Sequence, residues 1–156
     1  MNDVIYWFRN DLRITDNPAF AQTYEQYDKV LAVYVHDPKH SAETDWGFER
    51  MGAHRKAFLA ERLQDLALQL KAIGVDLTHL HGSPTEALSA FCDSAQTKQI
   101  YCEDIAAPEE QAEIDSLQTA GLKVKTLWQS SLLEPADLPF DVQYLPAVFT
   151  AFRNKV

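Results

Sequence analysis

The sequence predicts an α/β protein in which a five-stranded parallel sheet carries helices on both faces. Strand-like and helix-like segments alternate along the chain, the first strand-like segments are apolar runs, and the helix-like segments begin at capping residues. Strand, helix and strand repeated in this way form parallel sheets with right-handed crossovers. Apolar runs without polar alternation are typical of strands covered on both faces.

Five segments are predicted to be strands. The first two, 4–8 and 30–35, are continuous apolar runs, and the third, 75–80, alternates between apolar and polar residues. The segments 99–102 and 122–127 complete the set. Each neighbouring pair is separated by a segment with helical features, as a layered α/β fold requires.

Three of the intervening helices have recognisable first turns. Asn17 is a typical N-cap, and Pro18 suits the first helical position because its missing N–H costs little there. Residues 83–86, Ser-Pro-Thr-Glu, form a capping box. Residues 108–110, Pro-Glu-Glu, place acids where the helix dipole favours them.

The longest helix is predicted over residues 50–73. Its apolar residues recur at spacings of four, three, four and three, which predicts one buried stripe. The members of that stripe are Leu59, Leu63, Leu66, Leu70 and Ile73. Gly74 follows at the position where helices commonly end.

Ligands of open α/β sheets bind outside the carboxyl ends of the strands. The loops that follow the first, second and fourth predicted strands should therefore meet at one edge. We expect the pocket-facing residues to come from those loops, and they are Arg9, Asn10, His36, Asp37 and Glu103.

The first of these loops, in the stretch WFRNDLRITDNPAF, interleaves two arginines with two aspartates. The charges have two readings. In the first, the four charged side chains pair with one another and fix the loop, since arginine binds carboxylates with two parallel hydrogen bonds. These side chains are Arg9, Asp11, Arg13 and Asp16. Alternatively, Arg9 or Asn10 also faces a ligand or a second domain. Glu103 is likewise either a ligand contact, accepting hydrogen bonds from an N–H-rich ring, or a solvated loop acid.

Several chemistries are not expected. The chain has five glycines and none before position 47, so no Gly-rich phosphate loop follows the first strand. His36 and His40 share a loop, but no thiolate accompanies them at zinc-ligand spacing, and no metal site is predicted. No nucleophile elbow or cysteine–histidine pair is evident, so no catalytic residue is predicted.

The overall composition limits partners and compartment. The net charge of −9 argues against this chain alone gripping a phosphate backbone. Two cysteines, Cys92 and Cys102, fit a reducing compartment better than a disulfide scaffold. No apolar run reaches the roughly 20 residues of a membrane span. With no signal peptide visible, a cytoplasmic location without membrane contact is expected.

The organisation changes after Trp128. Residues 1–128 are predicted to form the α/β domain, whereas residues 129–156 contain three prolines and no clear periodicity until position 148. This second part is interpreted as a linker or arm that leads to a further domain. Phe149 and Phe152 at its end are expected to be exposed.

The opening motif resembles the amino-terminal hallmark of the photolyase/cryptochrome family, Trp-Phe-Arg-x-Asp-Leu-Arg-x-x-Asp-Asn. The matching residues are Trp7, Phe8, Arg9, Asp11, Leu12, Arg13, Asp16 and Asn17. Further matches follow in order: VYVHDP, RKAFLAERLQDL, GVDLTHLHGSP, DLPF and LPAVFTAFRNKV. The last two are most similar to the DASH-type cryptochromes, and the resemblance covers the whole chain.

This resemblance implies a Rossmann-like domain that holds or helps to hold an antenna chromophore: methenyltetrahydrofolate, a deazaflavin or FMN. In the DASH branch an acid after the fourth strand contacts the folate pterin, and Glu103 is the matching position. The family places FAD and the DNA-binding face on a helical carboxy-terminal domain, which would be this chain's partner. DNA photorepair or photoreception would then belong to the full-length protein, and DNA would be met only through it.

Two other functions are compatible with the same fold. One is a stand-alone nucleotide-binding module akin to universal stress proteins, against which the missing Gly-rich loop counts. The other is an interaction domain that uses its aromatic tail as a docking arm.

Overall fold

A computed structural model describes residues 3–131 and 133–156 of the chain. Five strands form one all-parallel sheet in the order β3-β2-β1-β4-β5, which confirms the predicted fold class. The strands are β1 (Asp3–Phe8), β2 (Lys29–His36), β3 (Leu77–His81), β4 (Gln99–Asp104) and β5 (Lys123–Trp128). Because β1 lies at the centre, its carboxyl end is flanked by strands and helices on both sides.

Helices cover both faces of the sheet. One hydrophobic cluster packs the first two helices against one face, and a second cluster packs the third and fourth against the other. The helices are α1 (Pro18–Gln26), α2 (Ala53–Ala72), α3 (Pro84–Ala95), α4 (Pro108–Thr119) and α5 (Phe149–Arg153). The chain changes faces between β3 and β4, so the strand order reverses beside β1 and opens a crevice there.

Both predicted side-chain caps are confirmed. The Asn17 side chain accepts a hydrogen bond from the Phe20 N–H at 2.9 Å. Ser83 Oγ accepts from the Glu86 N–H at 3.4 Å and donates to the Glu86 carboxylate at 2.9 Å, which completes the capping box.

The buried stripe of α2 is shorter than predicted. Leu63, Leu66 and Leu70 are buried and Leu59 packs partly against the core. The inclusion of Ile73 in the stripe was wrong, because its side chain is 37% exposed. Ile73 is the C-cap with φ −106°, so its side chain no longer follows the helical face. Gly74 then adopts φ +79°, the left-handed conformation that favours glycine after a helix.

Residues 129–156, apart from the undescribed position 132, contain two short 3-10 turns and α5. Most of their side chains are exposed, including Phe149 at 72%. The expectation of an exposed Phe152 was wrong, since its side chain is half-buried and its ring lies beside that of Phe140. Gln129, the first of them, is tied to the domain. Its amide oxygen accepts from the Ala19 N–H at 3.1 Å, and its amide nitrogen donates to Asp11 at 3.1 Å. Within the described part of the chain, no helix is both long and apolar enough to cross a membrane.

Candidate functional site

A cavity of about 470 Å³ opens at the carboxyl ends of β1 and β2. Its floor is the end of the central strand, and its walls come from the segment after β2, the first turns of α2 and the start of α4. Its lining includes Trp7, Phe8, Arg9, Asn10, Tyr34, Asp37, Lys39, His40, Arg50, Arg55, Phe58, Glu109, Glu110 and Glu113. The cavity therefore lies at the sheet edge that the strand order predicts for ligands.

Arg9 is the most constrained polar group of the cavity. One guanidinium nitrogen, Nη2, donates to the Glu110 carbonyl at 3.1 Å and to the Glu113 carboxylate at 2.9 Å. The guanidinium lies 4.6 Å from the centre of the Trp7 ring, a cation–π contact. Its side chain is only 4% exposed, yet Nη1 has no hydrogen-bond partner among the described residues. The guanidinium also interacts with the buried thiol of Cys102, so Arg9 is a cation enclosed between the cavity and the core.

The charged loop is clamped as predicted, but without Arg9. Arg13 donates to both carboxylate oxygens of Asp11, at 2.9 and 3.1 Å, and its Nη1 lies 3.7 Å from Asp16. The inclusion of Arg9 in this clamp was wrong. Its side chain follows the opposite face of β1 from Phe8, toward α4, and its partner is Glu113.

Glu103, in β4, binds the backbone of the loop that follows β1. It is 7% exposed, and its Oε1 accepts from the backbone N–H groups of Asn10 at 2.6 Å and of Asp11 at 2.9 Å. The alternative of a solvated loop acid is therefore wrong. Glu103 is not among the residues that line the cavity, so it reaches the site through the loop that it holds.

The other three predicted site residues are placed differently from one another. Asn10 is exposed and lines the cavity. Asp37 also lines it and is buried, where its Oδ1 accepts from the Lys39 N–H at 2.8 Å. His36 does not line the cavity. Its ring points to the other side of β2 from Val35, where it meets the ring of Tyr34.

His36 belongs to a cluster of three histidines at the edge of the sheet. Its Nε2 lies 2.8 Å from His79 Nδ1, and its ring stacks on that of His81 at 4.8 Å between centres. Partial burial and the two neighbouring histidines lower the pKa of His36 below its ordinary value of 6.5. No group of three or more His, Cys, Asp or Glu residues among those described has the arrangement of a metal site.

Acidification is expected to destabilise the fold through His36. Its pKa in the folded protein is below the 6.5 of the unfolded chain, so the unfolded state takes up the proton first as the pH falls. The stabilisation that neutral His36 gives the folded state is fully present above about pH 6.5. It is lost as the pH falls through the pKa of His36 in the folded protein. Thermal unfolding at about pH 7.5 and pH 5 should show a smaller drop in Tm for His36→Gln than for the wild type.

The control for this prediction is His54→Gln, which removes an exposed histidine of α2. It should leave the wild-type drop in Tm unchanged. A drop in His36→Gln as large as that of the wild type would contradict a role of the cluster in acid sensitivity.

Sequence reasoning missed the charged walls of the cavity. Basic side chains line the side of β2 and α2, and they are Lys39, His40, Arg50 and Arg55. Acidic side chains of α4 line the other side, and they are Glu109, Glu110 and Glu113. Arg55 could have indicated the basic wall, because it lies in the first turn of α2, where the helix dipole disfavours a cation. A cation at such a position favours a role other than helix stabilisation.

The two cysteines offer no nucleophile to this site. Both are free and buried. Burial raises the pKa of Cys102 to about 12 and that of Cys92 to about 11, so both thiols stay protonated near neutral pH.

Comparison with protein families gives one match that spans nearly the whole chain. The DNA photolyase family model matches residues 4–156. Cryptochrome DASH of Gloeobacter violaceus is 32% identical over 157 aligned residues, which cover 98% of this chain and 31% of that protein. The chloroplastic/mitochondrial cryptochrome DASH of Arabidopsis thaliana is 35% identical, with 97% of this chain and 28% of that protein covered. The chain thus spans about a third of the length of the curated relatives it matches.

Solved structures similar to this chain are also a cryptochrome and a photolyase. The cryptochrome of Synechocystis superposes with a TM-score of 0.90 at 34% identity, covering 98% of this chain and 32% of that one. An archaeal photolyase of Sulfolobus tokodaii, solved with two FAD molecules, has a TM-score of 0.77 at 21% identity, covering 99% of this chain and 34% of that one. The second match speaks to the fold alone.

Proposed function

Because this chain belongs to the DNA photolyase family and is its amino-terminal domain in DASH-type form, we propose that its cavity holds a light-harvesting antenna chromophore. The domain would absorb light and pass the energy to a flavin elsewhere in the full-length protein. We further propose a helical FAD-binding domain as its partner, since the relatives are about three times as long. DNA repair or photoreception would belong to that larger protein.

The observation that carries this proposal is the position of Arg9. It is a buried, permanently charged side chain that lines a cavity at the ligand edge of the sheet. Flavin and pterin rings carry carbonyl oxygens and ring nitrogens that accept hydrogen bonds. Arg9 would supply a charge-assisted hydrogen bond to one of these acceptors.

The size and walls of the cavity suit such a ring. About 470 Å³ lies within the range of roughly 300 to 1,000 Å³ that is usual for small-molecule sites. Phe58 offers exposed aromatic surface to a flat ligand, and the largely buried rings of Trp7, Phe8 and Tyr34 form the base beneath it. Small-molecule pockets are lined mainly by hydrophobic and aromatic side chains. Asn10 and Asp37 add polar groups that would set its orientation.

We propose that Glu103 and His36 serve the site indirectly. Glu103 would fix the backbone from which Asn10 enters the cavity, because its carboxylate already binds that backbone. His36 would support Tyr34, whose ring it contacts. A cytoplasmic location also remains a prediction from the cysteine content, and some relatives are chloroplastic or mitochondrial proteins.

Removal of the Arg9 charge is expected to weaken chromophore binding. FMN and methenyltetrahydrofolate should each be titrated into the chain and followed by absorbance. We expect at least one to bind, and Arg9→Met to weaken that binding by tenfold or more, because a hydrogen bond to a charged group is worth about 1.5 to 3 kcal/mol.

Arg13→Met is the matched control. It removes the same charge from the same loop, but at a side chain that is 51% exposed and absent from the cavity lining. An equal loss of affinity in both variants would show that the lost net charge, and not a contact between Arg9 and the chromophore, weakens binding. Saturable binding of AMP or ATP, with neither chromophore bound, would favour the nucleotide-binding module instead.

A further inference from the structure

We propose that Arg50 is an exchangeable phosphate ligand at the mouth of the cavity, held in the empty protein by Glu109 and transferred to the phosphate of a phosphorylated chromophore on binding. This inference rests on the proposed antenna function and specifies the ligand class and its control. Glu109 would act as an internal competitor of the ligand.

The first ground is the position of the ion pair. Arg50 lies just before α2, and Glu109 lies in the first turn of α4, so their contact spans the cavity mouth between its two walls. Both residues also line the cavity. A ligand that enters from solvent between these walls passes this pair.

The second ground is that the pair is weakly held. The side chain of Arg50 is 51% exposed and that of Glu109 is 69% exposed. Exposed ion pairs contribute about 0 to 1 kcal/mol, since water solvates both charges. A phosphate that meets Arg50 in a partly enclosed cavity would form a stronger, two-point contact and displace the carboxylate.

The third ground is the uneven charge of the two walls. Glu113 is neutralised by Arg9 at 2.9 Å, and Glu109 is neutralised by Arg50. Within residues 3–131 and 133–156, Lys39 and Arg55 form no ion pair, and both face the cavity from the same side as Arg50. Asp37 and Glu110 also line the cavity without an ion pair among those residues. On the wall of β2 and α2, Lys39 and Arg55 thus outnumber the single acid Asp37, which leaves positive charge there for a dianion.

This mode of phosphate binding agrees with the absence of a Gly-rich loop. Such loops hold phosphates through backbone N–H groups, whereas here side-chain cations would do so. The chromophore ring would lie deeper, against Arg9 and the aromatic side chains, with its phosphate directed to the mouth. Ring and phosphate would thus be recognised by separate groups.

The test compares FMN with riboflavin, which share one ring system and differ in the phosphate. With the wild-type chain we expect FMN to bind about tenfold more tightly than riboflavin. Arg50→Gln should abolish most of that preference and leave riboflavin affinity unchanged. Glu109→Gln should tighten FMN alone, because it removes the competitor of the phosphate.

Glu61→Gln is the matched control for Glu109→Gln, since it makes the same charge change at an exposed position of α2 that does not line the cavity. It should alter neither affinity. Equal affinity of the wild type for both flavins, or a preference that Arg50→Gln preserves, would overturn the exchange. Binding of methenyltetrahydrofolate without either flavin would overturn it while the antenna function stands. Failure of all three compounds to bind would overturn both.

Discussion

Replacement of Glu103 by alanine is expected to lower the free energy of unfolding by about 3 kcal/mol and to loosen the loop at the cavity floor. Its Oε1 accepts two backbone N–H groups, from Asn10 and Asp11, in a position that is 7% exposed. Alanine leaves both donors unpaired in a partly buried place, and hydrogen bonds to a charged acceptor are worth about 1.5 to 3 kcal/mol each. Denaturant unfolding followed by circular dichroism measures the loss.

Two further variants locate the cause. Glu103→Gln keeps an acceptor oxygen of the same reach, so it should lose only about 1 kcal/mol. Glu109→Ala removes an equal charge from the surface and should change stability by less than about 0.5 kcal/mol. Amide hydrogen exchange should accelerate at Asn10 and Asp11 in Glu103→Ala. Unchanged exchange there would show that the carboxylate does not hold the loop.

Replacement of Asn17 by alanine is expected to cost a similar amount, about 3 kcal/mol, for a different reason. The side chain is 2% exposed and makes three contacts: it accepts from the Phe20 N–H at 2.9 Å and the Tyr6 hydroxyl at 3.0 Å, and donates to the Arg13 carbonyl at 2.9 Å. Burial raises the pKa of Tyr6, so its phenol remains a donor and would be stranded.

Ser83→Ala is the matched control for Asn17→Ala, because it removes the cap of α3 at a position where the hydrogen bonds are exposed. We expect it to cost about 1 kcal/mol, the usual value of a cap alone. In a double-mutant cycle, Tyr6→Phe should cost less in the Asn17→Ala background than in the wild type. Equal costs of the two cap variants would assign the whole effect to capping.

The fold was predictable because its signals are local. Continuous apolar runs identify the buried strands, and Asn17 and Ser83 mark the starts of two helices by chemistry that acts within three residues. Ile73 was misplaced because a periodic pattern does not reveal the residue at which the helical backbone ends. Its backbone changes conformation one residue before Gly74, and the stripe ends with it.

Only those site residues that lie in loops directly after strands could be predicted from the sequence. The rule of carboxyl strand ends led to Arg9, Asn10 and Asp37, which do line the cavity. It could not show that Arg9 turns toward α4, because Glu113 lies 104 residues away in sequence. The basic wall was missed for the same reason, since Arg50 and Arg55 precede or begin a helix rather than follow a strand.

The side-chain amide of Gln129 ties the chain after β5 to the loop after β1. The residue stands just beyond the boundary drawn at Trp128, yet it bridges the Asp11 carboxylate and the first turn of α1 at Ala19. Asp11 belongs to the loop whose backbone N–H groups are bound by Glu103. One loop beside the cavity is therefore held by hydrogen bonds from two distant parts of the sequence, the end of β4 and the residue that follows β5.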